Sequence, residues 1–463
     1  MKTELTETKT RRVYTLIRNR IFQGGYELGS LLPSTRELAK ELGVSRALIV
    51  EVYEQLTAEG YLEGRQGSGT YVMDIGRSRP FLIQQEDSIT TDQLSFSKDS
   101  GDFNGIDFRP SFPALEHVPL QKWKRTALEV YDNAPSSAFG YQEDLSGSWP
   151  LRQSICQHLL KFKGFHCVPS QIIVTSGATQ AISLLCKLLL KPKDIVAIED
   201  PTAAFIHNIF VSTDAQIVPV PVDEHGLCVY NLPTHSQPKC IFVTPSHQFP
   251  SGSILSISRR IQLLDYARRT RSYIIEDDYD SEFRYGGMPI HALRELDAER
   301  VIYVGTFSKN LFPSLRLGYM VVPQELLEPL LELKRMADMQ CPTLPQLTLA
   351  QFMKEGHLER HITRMKRIYG KRRKHLIAAM NEAFDGKVTI SGDASGLHVV
   401  AKFPGRNIDL LTSMQLEEQH IRIYPAERYT ISKEKYTESL IMGFGNVTEL
   451  QITKGVKTIA QFL

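Results

Sequence analysis

The sequence predicts two domains: a small helical head that ends in a β-hairpin, and a large α/β body on a mainly parallel sheet. Three observations carry that prediction. Residues 11–72 hold three helix-period segments, then two short strand-like runs around a glycine-rich tip. From about residue 105, apolar strand-like runs alternate with helical segments, as βα units do. Between the two, the chain up to residue 104 is polar and aperiodic, and a structureless segment that long is uncommon inside one compact domain. The predicted boundaries are a head at 1–77, a linker at 78–104 and a body at 105–463.

Bulk composition excludes several classes of protein. A chain of 463 residues is too long for one small core. Its 42% apolar and 23% charged residues are ordinary for a globular protein, and a net charge of +2 names no partner. No apolar run reaches the roughly 18 residues of a membrane span, so no membrane partner is expected. The N-terminal MKTELTETKTRR lacks the apolar core of a secretory signal. The six cysteines, Cys156, Cys167, Cys186, Cys228, Cys240 and Cys341, are scattered with no CxxC pair. That pattern fits reduced thiols in a cytoplasmic protein better than a disulfide frame or a metal centre.

In the head, RRVYTLIRNRIF (11–22) places Val13, Leu16, Ile17 and Ile21 on one helical face. Ser34 followed by Glu37 is a capping box that opens a second helix carrying Leu38 and Leu42. Gly43 permits a tight turn, and Ser45 caps a third helix whose stripe is Leu48, Ile49, Val52, Tyr53 and Leu56. Arg46 and Ala47 lie on the outer N-terminal part of that helix, the part a recognition helix inserts into the major groove. YLE and TYV then read as strands around GRQGSG, with Arg65 at the tip placed for a phosphate or the minor groove. Residues 1–77 carry 11 Lys and Arg against 10 Asp and Glu, so any basic patch is local: Arg36, Arg46 and Arg65, joined by Arg11 and Arg12. A small helical domain that binds nothing satisfies the same pattern.

In the body, several predicted strands end in reactive or polar residues. QIIVTSGATQA (171–181) runs through Ser176, Gly177, Ala178 and Thr179 into a helix, a turn that offers backbone N–H groups to an anion. IVAIEDP ends in Glu199 and Asp200, CIFVTPSHQFPSG in a polar turn with His247 and Gln248, and YIIEDDYD in Asp277, Asp278 and Tyr279. VIYVGTFSK delivers Thr306, Ser308 and Lys309, with Arg316 seven residues beyond the lysine. Ligands of open α/β sheets bind outside the carboxyl ends of the strands. An amine for a Schiff base, a carboxylate for a pyridine nitrogen, a tyrosine for a ring hydroxyl, and hydroxyls with a guanidinium for a phosphate together suit pyridoxal 5'-phosphate (PLP). Taken singly, each piece has a plain reading: a helix start, a solvated or metal-binding acidic turn, a surface lysine. Only their joint order makes the cofactor.

The stretch LLPSTRELAKELGVSRALIVEVYEQLTAEGYLEGRQGSGTYV (31–72) resembles the winged helix-turn-helix of the GntR family of bacterial regulators along its length. The resemblance implies that Arg36, Ser45, Arg46 and the wing near Gly67 and Gly69 meet double-stranded DNA. Leu48 departs from it, standing where the family usually has a threonine. Residues from about 105 to 463 resemble the fold-type-I, class I/II aminotransferases, an α/β PLP-dependent transferase fold. That resemblance implies Lys309 as the Schiff-base lysine, Asp277 on the pyridine nitrogen and Tyr279 on the ring oxygen. It gives Gly177, Ala178, Thr179, Thr306, Ser308 and Arg316 to the phosphate, and Tyr141 to the phosphate of a partner subunit. A GntR head on such a body is the architecture of the MocR subfamily, which includes the GABA-responsive regulator GabR, and TPSHQFPSG, EDDYDSEFRY and SGLHVV are similar to that subfamily too.

Departures from the enzymes point away from turnover. Phe249 stands where they carry the asparagine of N-P-T-G, and Ile441 where they carry a carboxylate-binding arginine. The resemblance offers Arg428 for the effector carboxylate, with Arg422 as substitute. Phe205 is a candidate to stack on the ring, and His207 stands close to where the GABA regulator is expected to place an effector-binding arginine. The expected function is a homodimeric, PLP-dependent transcriptional regulator, in a head-to-tail, domain-swapped arrangement if the resemblance extends that far. Its body senses an amino compound, or PLP itself, at Lys309. The competing expectation is a working aminotransferase with an accessory DNA-binding head.

Overall fold

Local sequence signals build the head in chain order: α1 (Lys9–Phe22), α2 (Thr35–Leu42), α3 (Arg46–Ala58), β1 (Leu62–Arg65) and β2 (Gly69–Val72). The computed structural model describes residues 9–65, 67–73, 103–286, 290–432 and 436–463. The chain divides into two units, the first ending at residue 100 and the second beginning at 101. Up to residue 102, the linker expected at 78–104 lies outside the described residues.

The capping box is present, with Glu37 N–H donating to Ser34 Oγ (3.3 Å) and Ser34 N–H to Glu37 Oε2 (2.9 Å). Gly43 closes α2 in the left-handed region at φ +64°, and Ser45 Oγ caps α3 by accepting from Leu48 N–H. One expectation fails in α1. Tyr14 is buried with Val13, Ile17 and Ile21, whereas Leu16 is 39% exposed. At about 100° per residue, Val13, Ile17, Ile21 and Tyr14 share roughly 100° of arc, and Leu16 falls about 60° outside it. Tyr14 can be buried because its hydroxyl reaches the Glu59 carboxylate. Leu48 is only partly buried and packs against the head core.

In chain order the body runs β3 (Ile106–Asp107), α4 (Leu120–Asn133), α5 (Trp149–Lys163), β4 (Ile172–Thr175), α6 (Ala178–Leu189), β5 (Ile195–Asp200), α7 (Ala204–Val211), β6 (Gln216–Asp223), β7 (Gly226–Leu227), β8 (Cys240–Val243), α8 (Ile257–Thr270), β9 (Tyr273–Asp278), β10 (Val301–Thr306) and β11 (Gly318–Val321). Helices α9 (Gln324–Asp338), α10 (Thr343–Lys354) and α11 (His357–Ala383) follow. The chain ends with β12 (Thr389–Ser391), β13 (His398–Lys402), α12 (Leu410–Glu418), β14 (Ile421–Arg422), β15 (Tyr424–Pro425), β16 (Ser439–Gly443) and α13 (Glu449–Phe462).

Eight strands form one sheet in the order β4-β11-β10-β9-β8-β5-β6-β7. The run from β10 to β6 is parallel, β11 lies antiparallel between β10 and β4, and β7 turns back on β6. Alternate residues of a strand face opposite layers. Phe242 and Ile275 pack with Leu185 of α6 and Leu330 of α9, while Ile241 and Ile274 pack with Leu263 and Ala267 of α8. Burial on both faces explains why these strands read as unbroken apolar runs. The sequence did not foretell a second, antiparallel sheet, β12-β13-β16-β15, or the parallel pairing of β14 with β3 that ties the start of the body to its last third.

Candidate functional site

The carboxyl ends of β4, β9 and β10 deliver the predicted chemistry to one place. Register sets this geometry: Thr175 of β4 pairs with Gly318 of β11, Gly318 with Thr306 of β10, and Val304 of β10 with Asp277 of β9. A cavity of about 490 Å³ opens there, lined by Ala178, Thr179, Asp277, Tyr279, Thr306, Ser308, Lys309 and Arg316. Eight of the predicted cofactor residues thus share one wall.

At one end sits the anion turn. Gly177 precedes α6 with φ +88°, and a Cβ on it would lie 2.8 Å from Arg316 Nη2. Gly318 packs so closely on Gly177 that its own Cβ would meet the Gly177 Cα at 2.8 Å. The backbone is therefore open at the N-terminus of a 12-residue helix, where free N–H groups and the helix dipole favour an anion. Arg316 donates to the Ser176 carbonyl at 2.6 Å and stays on the cavity wall. Thr306 Oγ1 donates to Ser308 Oγ at 3.0 Å. This set of hydroxyls, guanidinium and helix terminus fits a phosphate dianion.

At the other end, Asp277 is buried, and among the described residues its Oδ1 finds no hydrogen-bond partner. Burial, with help from Asp278 and Asp280, pushes its pKa up to about 7. A buried carboxylate that lacks a donor fits a protonated pyridine nitrogen. Asp278, its neighbour on β9, faces the other layer, where it pairs with Lys163 (2.9 Å) and accepts from the Tyr303 hydroxyl (2.9 Å). Burial also lowers the Lys309 pKa, against the pull of Asp280 and Asp277 in the other direction. A neutral amine is the nucleophilic form that Schiff-base formation requires.

The remaining predicted residues are placed differently. Tyr141 is 83% exposed and does not line the cavity. Arg428 is exposed, with its guanidinium 5.8 Å from the Tyr424 ring, and is also off the cavity wall. Arg422 is held by Glu417 and lies 3.9 Å from Asp107. Phe205 and Phe249 both line the cavity. His247 and Gln248, expected in a polar turn, are buried. Gln248 Nε2 donates to the carbonyls of Pro201 and Phe249.

Sequence reasoning missed Arg109, which lines the cavity. Its Nε donates to the Tyr424 hydroxyl (3.3 Å), and Asp107 lies 3.6 Å away. Its positive charge reaches Lys309 and favours the neutral amine there. No spacing rule marked it, because β3 is two residues long and its partner strand lies near the other end of the chain.

In the head, Arg36 and Arg46 are exposed, and Arg46 Nε donates to Thr35 Oγ1 (3.3 Å). Arg65, at the end of β1, pairs with Glu63 (2.9 Å) and lies 4.5 Å from the Tyr71 ring centre. Gly67 holds φ +76° in the hairpin turn. No helix among the described residues is long and apolar enough to cross a membrane.

Fold and site define a PLP-type transferase body carried on the same chain as a winged helix-turn-helix. The aminotransferase class I and II family matches residues 109–459, and the gntR family of bacterial regulatory proteins matches residues 9–72. The HTH-type transcriptional regulator YdeL of Bacillus subtilis is 34% identical over 97% of this chain and 95% of its own. The probable rhizopine catabolism regulatory protein MocR of Rhizobium meliloti is 31% identical over 97% and 92%. The multiple substrate aminotransferase of Thermococcus profundus superposes with a TM-score of 0.72 at 25% identity, over 81% of this chain and 94% of that one. The chain belongs to the aminotransferase class I and II family and, with its GntR head, to the family of HTH-type regulators that includes YdeL and MocR.

Proposed function

We propose that this protein is a DNA-binding transcriptional regulator whose body holds PLP on Lys309 and reads an amino compound there. The observation that carries the proposal is one cavity lined by Lys309, Asp277, Tyr279 and Arg316, in a chain that also carries a GntR head. When bound, the cofactor supplies an aldehyde that condenses with an amine. Asp277 would hold the proton on its ring nitrogen, Gly177 to Thr179 with Arg316 would hold its phosphate, and Arg109, on the same wall as Lys309, would receive an acidic group of the effector. Tyr141, exposed on this chain, serves the phosphate of a second copy in a homodimer. An effector shifts DNA binding only by its different affinity for the two states of the protein.

Phe249 on the cavity wall offers no hydrogen-bond donor, which favours sensing over turnover. The test is Lys309→Ala: the visible absorption of the PLP-loaded protein disappears while the head still binds DNA. A surviving band would remove Lys309 from its role. Sustained transamination of amino donors with 2-oxoglutarate would make the protein an enzyme first. A second reading, in which PLP is itself the effector, is favoured by one relative. The pyridoxine biosynthesis regulator PdxR of Corynebacterium glutamicum is 33% identical over 77% of this chain and 75% of its own. That reading requires PLP alone to change a gel shift, and an unchanged shift eliminates it.

A further inference from the structure

Behind the cavity lies a buried trio that the proposed function does not use: His247, Asp280 and His398, 2%, 0% and 0% exposed. Their ligand atoms lie within 4.8 Å of one another. Both nitrogens of His398 are already engaged, Nε2 with the Pro250 carbonyl (3.0 Å) and Nδ1 with the Ser111 hydroxyl (3.2 Å). His398 is thus committed elsewhere, and the hydrogen-bond chain runs through the other two members to Tyr279. His247 Nδ1 lies 2.8 Å from Asp280 Oδ1 and 3.0 Å from the Tyr279 hydroxyl.

We propose that His247 is a positioning residue for Tyr279: its one Nδ1–H, fixed there by Asp280 and shared between the Asp280 carboxylate and the tyrosine oxygen, turns the tyrosine's own proton into the cavity. The inference rests on the reading that this cavity holds PLP.

The argument is one of lone pairs. An ionised carboxylate only accepts, so Asp280 at 2.8 Å requires the proton on Nδ1. A nitrogen that carries a proton cannot accept from Tyr279. Among the described residues, His247 is the hydrogen-bond partner recorded for the Tyr279 hydroxyl, and Tyr279 lines the cavity, so its proton faces the ligand.

The surroundings hold the ring still. His398 lies 4.9 Å away, centre to centre, and burial lowers its pKa to about 3, so it adds no charge. Gly396, at φ +74°, presents bare backbone: a Cβ there would sit 2.0 Å from His247 Cε1 and 2.6 Å from Asp280 Oδ2. The charged or titratable groups around His247 and Tyr279 are thus Asp280 and His398, with Asp277, Asp278 and Glu199 acting on the tyrosine and Tyr285 and Lys309 near Asp280. Because Phe249 cannot donate, the cofactor's ring oxygen depends on Tyr279.

With the cofactor bound, a donor to that oxygen would drain its negative charge and let the Lys309 nitrogen give up its proton at lower pH. Losing the donor therefore raises the pH midpoint of the visible band. The experiment titrates that band in the PLP-loaded full chain for wild type, His247→Phe, Tyr279→Phe and the double variant. We expect each single variant to raise the midpoint by about one pH unit, the equivalent of one hydrogen bond, and the double to add nothing further. A wild-type midpoint in His247→Phe, or shifts that add in the double, overturns the inference. If His247→Phe does not fold, Asp280→Asn, which frees the Nδ1 tautomer, must move the midpoint upward, and an unmoved midpoint is equally fatal. A wild-type protein that shows no band at all rejects the cofactor reading instead.

Discussion

On the proposed function, Arg109 on the cavity wall is the residue that receives an acidic group of the effector. It supplies the cation that Ile441, buried on β16, does not. Arg109→Ala is expected to weaken binding of an amino acid by about 10- to 100-fold, a charge-assisted hydrogen bond of roughly 1.5–3 kcal/mol, while sparing the amine that lacks the carboxylate. Arg428→Ala should change neither. Binding followed by the visible spectrum checks both, and the opposite ranking would restore Arg428 as the effector arginine. Asp277 gives a pH signature. Its pKa in the fold, about 7, lies above its ordinary 3.8, so its contribution to stability is full below about pH 4 and is lost as pH rises through 7. The cofactor-free protein should lose melting temperature across that window, and Asp277→Asn should lose less. Equal losses in thermal melts would place the titration elsewhere. Lys309 and Asp277 were legible in the sequence because strand-end motifs are local. Arg109 and the His247–Asp280 contact were not, since they depend on which distant segments meet.

At the scale of elements, capping chemistry defines the head. Ser34→Ala removes the side-chain half of the capping box on α2, leaving the backbone N–H of residue 34 to the Glu37 carboxylate, and should cost about 1 kcal/mol of head stability, read by chemical denaturation. An unchanged midpoint would mean that packing of Leu38 and Ala39 alone holds the helix. Arg46, exposed at the start of α3, should cost about 1–3 kcal/mol of operator binding when changed to Ala. A loss that is the same for unrelated DNA would make it a phosphate contact and not a base contact. The sequence read both helices well because caps and turns act within four residues. It misread α1 because Leu16 is as apolar as its neighbours, and only the 100° arc and the Glu59 partner of Tyr14 put the tyrosine inside.

At the scale of the whole molecule, the chain divides into two units, and each has its own core. Calorimetry is expected to resolve two transitions. PLP at about 100 times its dissociation constant should stabilise the body by about 2.7 kcal/mol and leave the head transition in place. A single transition that moves as one would show the two units to be energetically coupled. The sequence by itself determined the elements and the chemistry at their ends, because the 2.0 and 3.6 residue periods, caps and glycine turns are short-range properties. Only the tertiary structure decided which of those ends share a cavity. Strand order seats β10 beside β9 and sets β11 between β10 and β4. The contact of Arg109 with Tyr424 joins residues 315 positions apart. Pairing over that separation depends on the packing of the whole core, which no local window of sequence contains.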